Sequence, residues 1–145
     1  QPCHNCIDNC IHTFAGVRLR MKCAEIMRVQ GHEEPTGTAK ITPAYNLPCD
    51  FVIHTVGPIV RGRLTGKHCE QLKSCYRSCL ELAVQSGVSS IAFCCISTGV
   101  FGFPQENAAE IAVETIREFL KTHEIEVICN VFSEKDFDIY QRLLG

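Results

Sequence analysis

Long apolar runs are missing from this 145-residue chain: no stretch nears the roughly 20 apolar residues that span a bilayer. A membrane role is therefore not expected. An excess of one charge is missing as well. Fourteen Lys and Arg against 16 Asp and Glu leave a net charge of −2, whereas a nucleic-acid partner normally shows itself as a basic stripe. The opening residues Gln1-Pro2-Cys3-His4 have neither the basic start nor the apolar core of a signal peptide. Internal repeats, low-complexity tracts and linker-like segments are absent too, which predicts one α/β unit around one core.

What the chain has in abundance is cysteine, 11 residues in all. In a short secreted protein that count would suggest a disulfide framework. Here Cys75 and Cys79 fall on a helical face, and Cys94 and Cys95 sit in an apolar run that reads as a strand. Cysteines in such places act as small buried hydrophobes. The odd total and the good hydrophobic periodicity predict free thiols in a reducing, cytoplasmic setting.

Two amphipathic helices give the clearest pattern. Over residues 70–86, Leu72, Cys75, Tyr76, Cys79, Leu80, Ala83 and Val84 form one apolar stripe; over 105–122, Ala108, Ile111, Ala112, Thr115, Ile116, Phe119 and Leu120 form another. Both follow i, i+3, i+4, i+7 spacing. Gly87 stops the first helix and Pro104 suits the start of the second. Apolar runs at 51–56, 90–96 and 126–132 alternate with them, which predicts a largely parallel sheet buried on both faces. Ser133, three residues before Asp136, can start a last helix ending near Leu144. In the N-terminal third, Ile11, Ala15 and Leu19 suggest a helix broken at Gly16 and resumed to about Gln30. Residues 31–37 read as a loop, and 40–45 as a strand that Pro43 confines to an edge or a bulge.

Ligands of open α/β sheets bind beyond the carboxyl ends of the strands. Two loops occupy such positions: Gly57-Pro58 with the residues after it, and Ser97-Thr98-Gly99-Val100-Phe101-Gly102, which leads through Phe103-Pro104 into a helix. The second can bring backbone N–H groups close to a phosphate beside a helix start; the alternative is a plain βα turn. Residues 62–67 imitate a Walker loop, but the spacing is short and His68 stands where Ser or Thr would bind magnesium. Near the N-terminus, Cys3, His4, Cys6 and Asp8 gather zinc-ligand types; the alternative is an inert stretch. His12 and His54 are expected to be hydrogen-bonded packing residues, and His32, His68 and His123 to be solvated. An apolar setting should raise the pKa of Cys94 and Cys95, which argues against either as a nucleophile.

Several stretches together resemble the macrodomain family. Ile7-Asp8-Asn9-Cys10-Ile11-His12-Thr13-Phe14-Ala15-Gly16 is similar to its V-D-G-x-I-H-x-A-A-G helix. Gly37-Thr38-Ala39-Lys40-Ile41-Thr42, Asn46-Leu47-Pro48 and Val52-Ile53-His54-Thr55-Val56-Gly57-Pro58 resemble its G-x-A-x-x-T, L-P and V-I-H-T-V-G-P blocks. The 97–102 loop resembles its pyrophosphate loop. The resemblance implies a three-layer α/β/α macrodomain with a central mixed, largely parallel sheet. It further implies that residues 1–145 form a macrodomain lacking the first strands and the N-A-A-N segment.

A subclass follows from Pro2-Cys3-His4-Asn5-Cys6-Ile7-Asp8-Asn9, which is similar to the C-F-x-P-x-H-x-C-I-D-N signature of zinc-dependent macrodomains. That resemblance implies hydrolysis of O-linked mono-ADP-ribose from modified proteins, in some cases a lipoylated carrier protein. Zn2+ would be held by His4 and Cys6, and the family's first cysteine ligand would fall upstream of Gln1. Asp8 and Asn9 would be catalytic. Ser97, Thr98, Gly99, Val100, Phe101 and Gly102 would bind ADP-ribose, with Phe101 on the distal ribose and Phe132 beside the adenine. The rival reading is a non-catalytic ADP-ribose reader, which needs the 97–102 loop alone.

Overall fold

The computed structural model describes residues 6–145. Two short helices come first, α1 (Ile7–Ala15) and α2 (Val17–Gln30). They are separated at Gly16, whose φ of +87° suits glycine. A Cβ there would meet the Asn46 side-chain nitrogen at 2.9 Å, so the break also lets the 44–50 loop dock. A hairpin-like pair follows, β1 (Ala39–Pro43) and β2 (Phe51–Thr55), antiparallel in the register Ala39↔Thr55 to Pro43↔Phe51. Pro43 closes the end of that ladder, at a position consistent with its missing N–H.

Helix α3 (Gly66–Gln85) carries the stripe read from the sequence, but it starts four residues earlier than the pattern predicts. Thr65 is the reason. Its hydroxyl accepts from the His68 backbone N–H, while His68 Nδ1 accepts from the Thr65 N–H at 3.2 Å, a reciprocal cap. His68 is thus half-buried cap rather than the solvated residue expected. Then come β3 (Ser90–Phe93), α4 (Gln105–Leu120), β4 (Glu126–Cys129) and α5 (Glu134–Leu144). Strands β3 and β4 run parallel, Ser90↔Glu126 to Phe93↔Cys129. Ser133 caps α5 by accepting from the Asp136 N–H, as its position predicts.

Both apolar runs outlast their strands. Cys94 and Cys95 lie past the end of β3, not within it as expected. Their carbonyls are claimed by side chains: the Tyr76 hydroxyl donates to Cys94 O at 3.4 Å, and the Thr98 hydroxyl to Cys95 O at 3.0 Å. A carbonyl so engaged is less available to a neighbouring strand.

Layering follows from side-chain alternation. On β1–β2, Ala39 and Ile53 pack into the main core against α3, and Thr42 and His54 face the opposite side, towards α1. The core itself joins Leu72, Tyr76, Leu80 and Ala83 of α3 to Ala108, Ala112, Ile116 and Phe119 of α4 and to Ile139 and Tyr140 of α5. Each of the fully buried Leu72 and Leu80 side chains contributes about 1.5–3 kcal/mol by leaving water. The expectation of strands buried on both faces is corrected for β3 and β4. Ile91, Phe93, Val127 and Cys129 face the core, whereas Ser90, Ala92, Glu126 and Ile128 are exposed, so among the described residues these two strands are covered on one face. Among the described residues the strands form two separate two-stranded sheets, β1–β2 antiparallel and β3–β4 parallel, in place of the one mixed sheet expected. No helix among them is long and apolar enough to cross a membrane.

Candidate functional site

Strands β2 and β3 release their chains side by side. Just past β2, Gly57 is buried against Ser97, so closely that a Cβ would lie 2.1 Å from the serine Oγ. Val60 then donates its N–H to Phe101 O at 2.8 Å, and a Cβ on Gly102 would meet Val60 O at 2.9 Å. Glycines are required at both places because two backbones approach too closely for a side chain. The two loops read as ligand positions are therefore one bonded unit.

Inside the 97–102 loop, Gly102 N–H donates to Gly99 O (3.0 Å) and Phe103 N–H to Ser97 O (2.9 Å). Ser97 has φ of +65° and Gly102 φ of +72°. The left-handed region is costly for a serine. Its Oγ is also buried with no hydrogen-bond partner among the described residues. Among those residues, the N–H groups of Gly99, Val100 and Phe101 are likewise left out of the internal hydrogen bonding. Three successive amides without an acceptor among the described residues, ahead of the α4 N-terminus, are an arrangement that can receive an anion. Val100 is 78% exposed and Phe101 is also accessible, so the amides open to solvent. Phe132 lies fully exposed just beyond β4, at the same carboxyl end as the loop. The structure thus brings all seven predicted ligand-binding residues to the carboxyl ends of β3 and β4.

The predicted catalytic pair sits on α1. Asp8 lies in its first turn with the side chain 55% exposed, and Asn9 is half-buried. His12, expected to be a packing residue, lies beside Asp8: its Nε2 is 3.6 Å from the carboxylate. Its Nδ1 is buried without a hydrogen-bond partner among the described residues. The i, i+4 spacing of Asp8 and His12 was the signal available in the sequence. His54 does pack through a hydrogen bond, Thr42 Oγ1 to its Nε2 at 2.9 Å. Burial lowers its pKa, the charge of Asp8 works against that shift and His12 adds to it. The His12 and His54 rings are 6.4 Å apart. His54 lies on β2 and Gly57 two residues beyond its end, so roughly 10 Å of extended chain separates the His54 position from the glycine that meets Ser97. Strand β2 links the two halves of the site.

The predicted metal ligands are split. His4 lies outside the described residues, and Cys6 is half-buried at the start of α1. Among the described residues no three His, Cys, Asp or Glu side chains are placed to hold a metal ion. No disulfide joins any of the ten described cysteines. Burial raises the thiol pKa of Cys94, and that of Cys95 to about 11, in keeping with the argument against either as nucleophile.

Known proteins share the sequence and fold. Residues 2–112 match the Macro domain family. A protein-ADP-ribose hydrolase of Treponema medium is 62% identical over 147 residues, which cover 100% of this chain and 56% of the relative. One from Staphylococcus aureus (strain MRSA252) is 54% identical, covering 97% of this chain and 54% of the relative. The chain therefore spans little more than half the length of these curated relatives. Among solved structures, the Oceanobacillus iheyensis macrodomain with ADP superposes with a TM-score of 0.90 at 42% identity, over 97% of this chain and 75% of that one. The Trypanosoma brucei macrodomain in complex with ADP-ribose does so with a TM-score of 0.85 at 36% identity, over 97% and 57%. The architecture is the three-layer α/β/α macrodomain fold. With identity above one half along essentially its whole length and the family pattern matched through residue 112, the chain belongs to the Macro domain family.

Proposed function

We propose that this chain binds ADP-ribose in the 97–102 loop and contributes to hydrolytic removal of ADP-ribose from modified proteins. The observation that carries the proposal is the run of three amides at Gly99, Val100 and Phe101 that no acceptor among the described residues uses. A diphosphate bridge offers the acceptors they lack. The names of the relatives from Treponema and Staphylococcus support the hydrolytic half, and the ligand named with the Trypanosoma structure supports the binding half.

In this reading the loop holds the diphosphate, Phe101 packs on the distal ribose and Phe132 flanks the adenine. Asp8, partly exposed and steadied by His12, orients the ribose or the attacking water, and Asn9 supports it from the same turn. Catalysis is then positioning and electrostatics without a covalent intermediate. The finer reading takes an O-linked mono-ADP-ribosyl protein as substrate. It also takes a zinc ion, for which His4 and Cys6 would supply two ligands and which would act as Lewis acid. The described residues do not complete a donor set for that ion, so no step above runs through it.

One experiment tests the reading. Calorimetry with ADP-ribose should show binding, and a mono-ADP-ribosylated protein should release ADP-ribose when incubated with the chain. Asp8→Asn should reduce release by about 10²-fold, the scale of a positioned general base, with ADP-ribose affinity changed little. No binding would overturn the proposal. Binding without release would leave the alternative, a reader, which the self-contained loop favours.

A further inference from the structure

One buried carboxylate is used by neither the 97–102 loop nor the α1 cluster. Asp136, only 7% exposed, sits in the first turn of α5 and has a donor on each oxygen. Gln105 Nε2 donates to its Oδ1 at 2.9 Å, and the Ser133 hydroxyl to its Oδ2 at 2.7 Å. These partners have telling places in the chain. Gln105 is the first residue of α4, at the exit of the 97–104 segment, and Ser133 directly follows Phe132. The carboxylate therefore bridges the segment after the phosphate loop to the segment after the aromatic residue, 31 positions apart in sequence from Gln105. One turn further along α5, Tyr140 is buried in the same core as Tyr76, which donates to Cys94 O at 3.4 Å. The whole patch braces the carboxyl ends of β3 and β4 from the core side.

A helix cap alone would need only Ser133 and the Asp136 N–H, which are already bonded at 3.1 Å. The Gln105 bond is additional and runs between helices. We infer that Asp136 and Gln105 form a clamp that sets the spacing between the phosphate loop and Phe132, which makes both positioning residues for ADP-ribose. The inference rests on the proposed reading of the site. A charge-assisted bond from a half-buried amide to a buried carboxylate is strong enough to fix that spacing. Without it, the diphosphate and the adenine would each be held by a part free to shift against the other.

The test is a double-mutant cycle read by calorimetry with ADP-ribose on the whole chain, using Gln105→Leu, Phe132→Ala and the pair. Gln105→Leu removes the donor and keeps the bulk. The clamp predicts about tenfold weaker binding for each single variant and a double variant no weaker than Phe132→Ala, because the clamp acts through that ring. Asp136→Asn, measured in parallel, should show the same non-additivity, and it serves if the leucine variant does not fold. Losses that add, or a Gln105→Leu variant that binds as the parent does, would overturn the clamp while leaving the site intact. If the parent chain fails to bind ADP-ribose at all, the site reading falls and the clamp falls with it.

Discussion

At the scale of single residues, two atoms decide how tightly the site is built. Gly57 has no room for even one carbon beside Ser97. Gly57→Ala should therefore displace the serine and weaken ADP-ribose binding by at least tenfold, with calorimetry as the measure; unchanged affinity would show that Ser97 does not fix the loop. His54 makes a different prediction. Burial holds its pKa below the ordinary value, so in the folded chain the ring stays neutral where the unfolded chain's imidazole takes a proton. The unfolded state then binds more protons as pH falls below about 6.5, and stability drops on the acid side until the folded pKa is reached. Urea unfolding at pH 7.5 and 5.5 should show that loss, and His54→Gln should flatten the part of the slope due to this ring.

The thiols divide at the same scale. Cys79, buried, has its pKa pushed up to about 12 by desolvation, with the nearby thiol of Cys75 adding to the shift. Cys10 and Cys49 are exposed. Alkylation at pH 7.5 followed by peptide mass analysis should mark Cys10 and Cys49 within minutes and Cys75 and Cys79 only after denaturation, since the thiolate is the reacting form. Early labelling of Cys79 would contradict the packing of α3.

At the scale of elements, what the sequence revealed depended on which physical signal marked each end. The apolar stripes of α3 and α4 were legible because burial imposes a 3.6-residue period on the helix face. Gly16 and Gly87 announced their breaks, with φ of +87° and +73°, through backbone freedom alone. The start of α3 was not legible: the Thr65–His68 cap uses a histidine in place of the usual Glu or Gln. Thr65→Ala should cost about 1 kcal/mol of stability, measurable as a lower urea midpoint. The strand ends were missed for a related reason. Residues 94–96 and 130–132 are apolar enough to continue a ladder, but Tyr76 and Thr98 take the carbonyls after Phe93, a competition between distant side chains that periodicity does not carry. In the site, the loop residues were legible as a glycine-bearing βα turn, whereas the bond from Val60 to Phe101 and the approach of His12 to Asp8 exist only once the chain is folded.

At the scale of the whole molecule, the layers explain why the 97–102 loop and Phe132 share one end. Helix α3 packs against both strand pairs from the core side and α2 against β1, and the chain leaves β2 and β3 side by side, where Gly57 meets Ser97. Strand β2 carries His54, whose ring lies 6.4 Å from that of His12 on α1, and leads into Gly57, which meets Ser97 of the 97–102 loop. The opposite, exposed face of β3–β4 takes no part in this arrangement.

The three unused amides of the loop have a consequence for how the ligand's charge is felt. Their attraction for an anion comes from peptide dipoles, which neither titrate nor react with reagents that acylate lysine or modify arginine. Val100 could be replaced by almost any side chain with the amide left in place. Affinity for the diphosphate should accordingly stay level from about pH 7 to pH 9, a range in which backbone amides keep their protons. Recognition written in the backbone is out of reach of most side-chain substitutions, and a survey of side chains alone would pass over it.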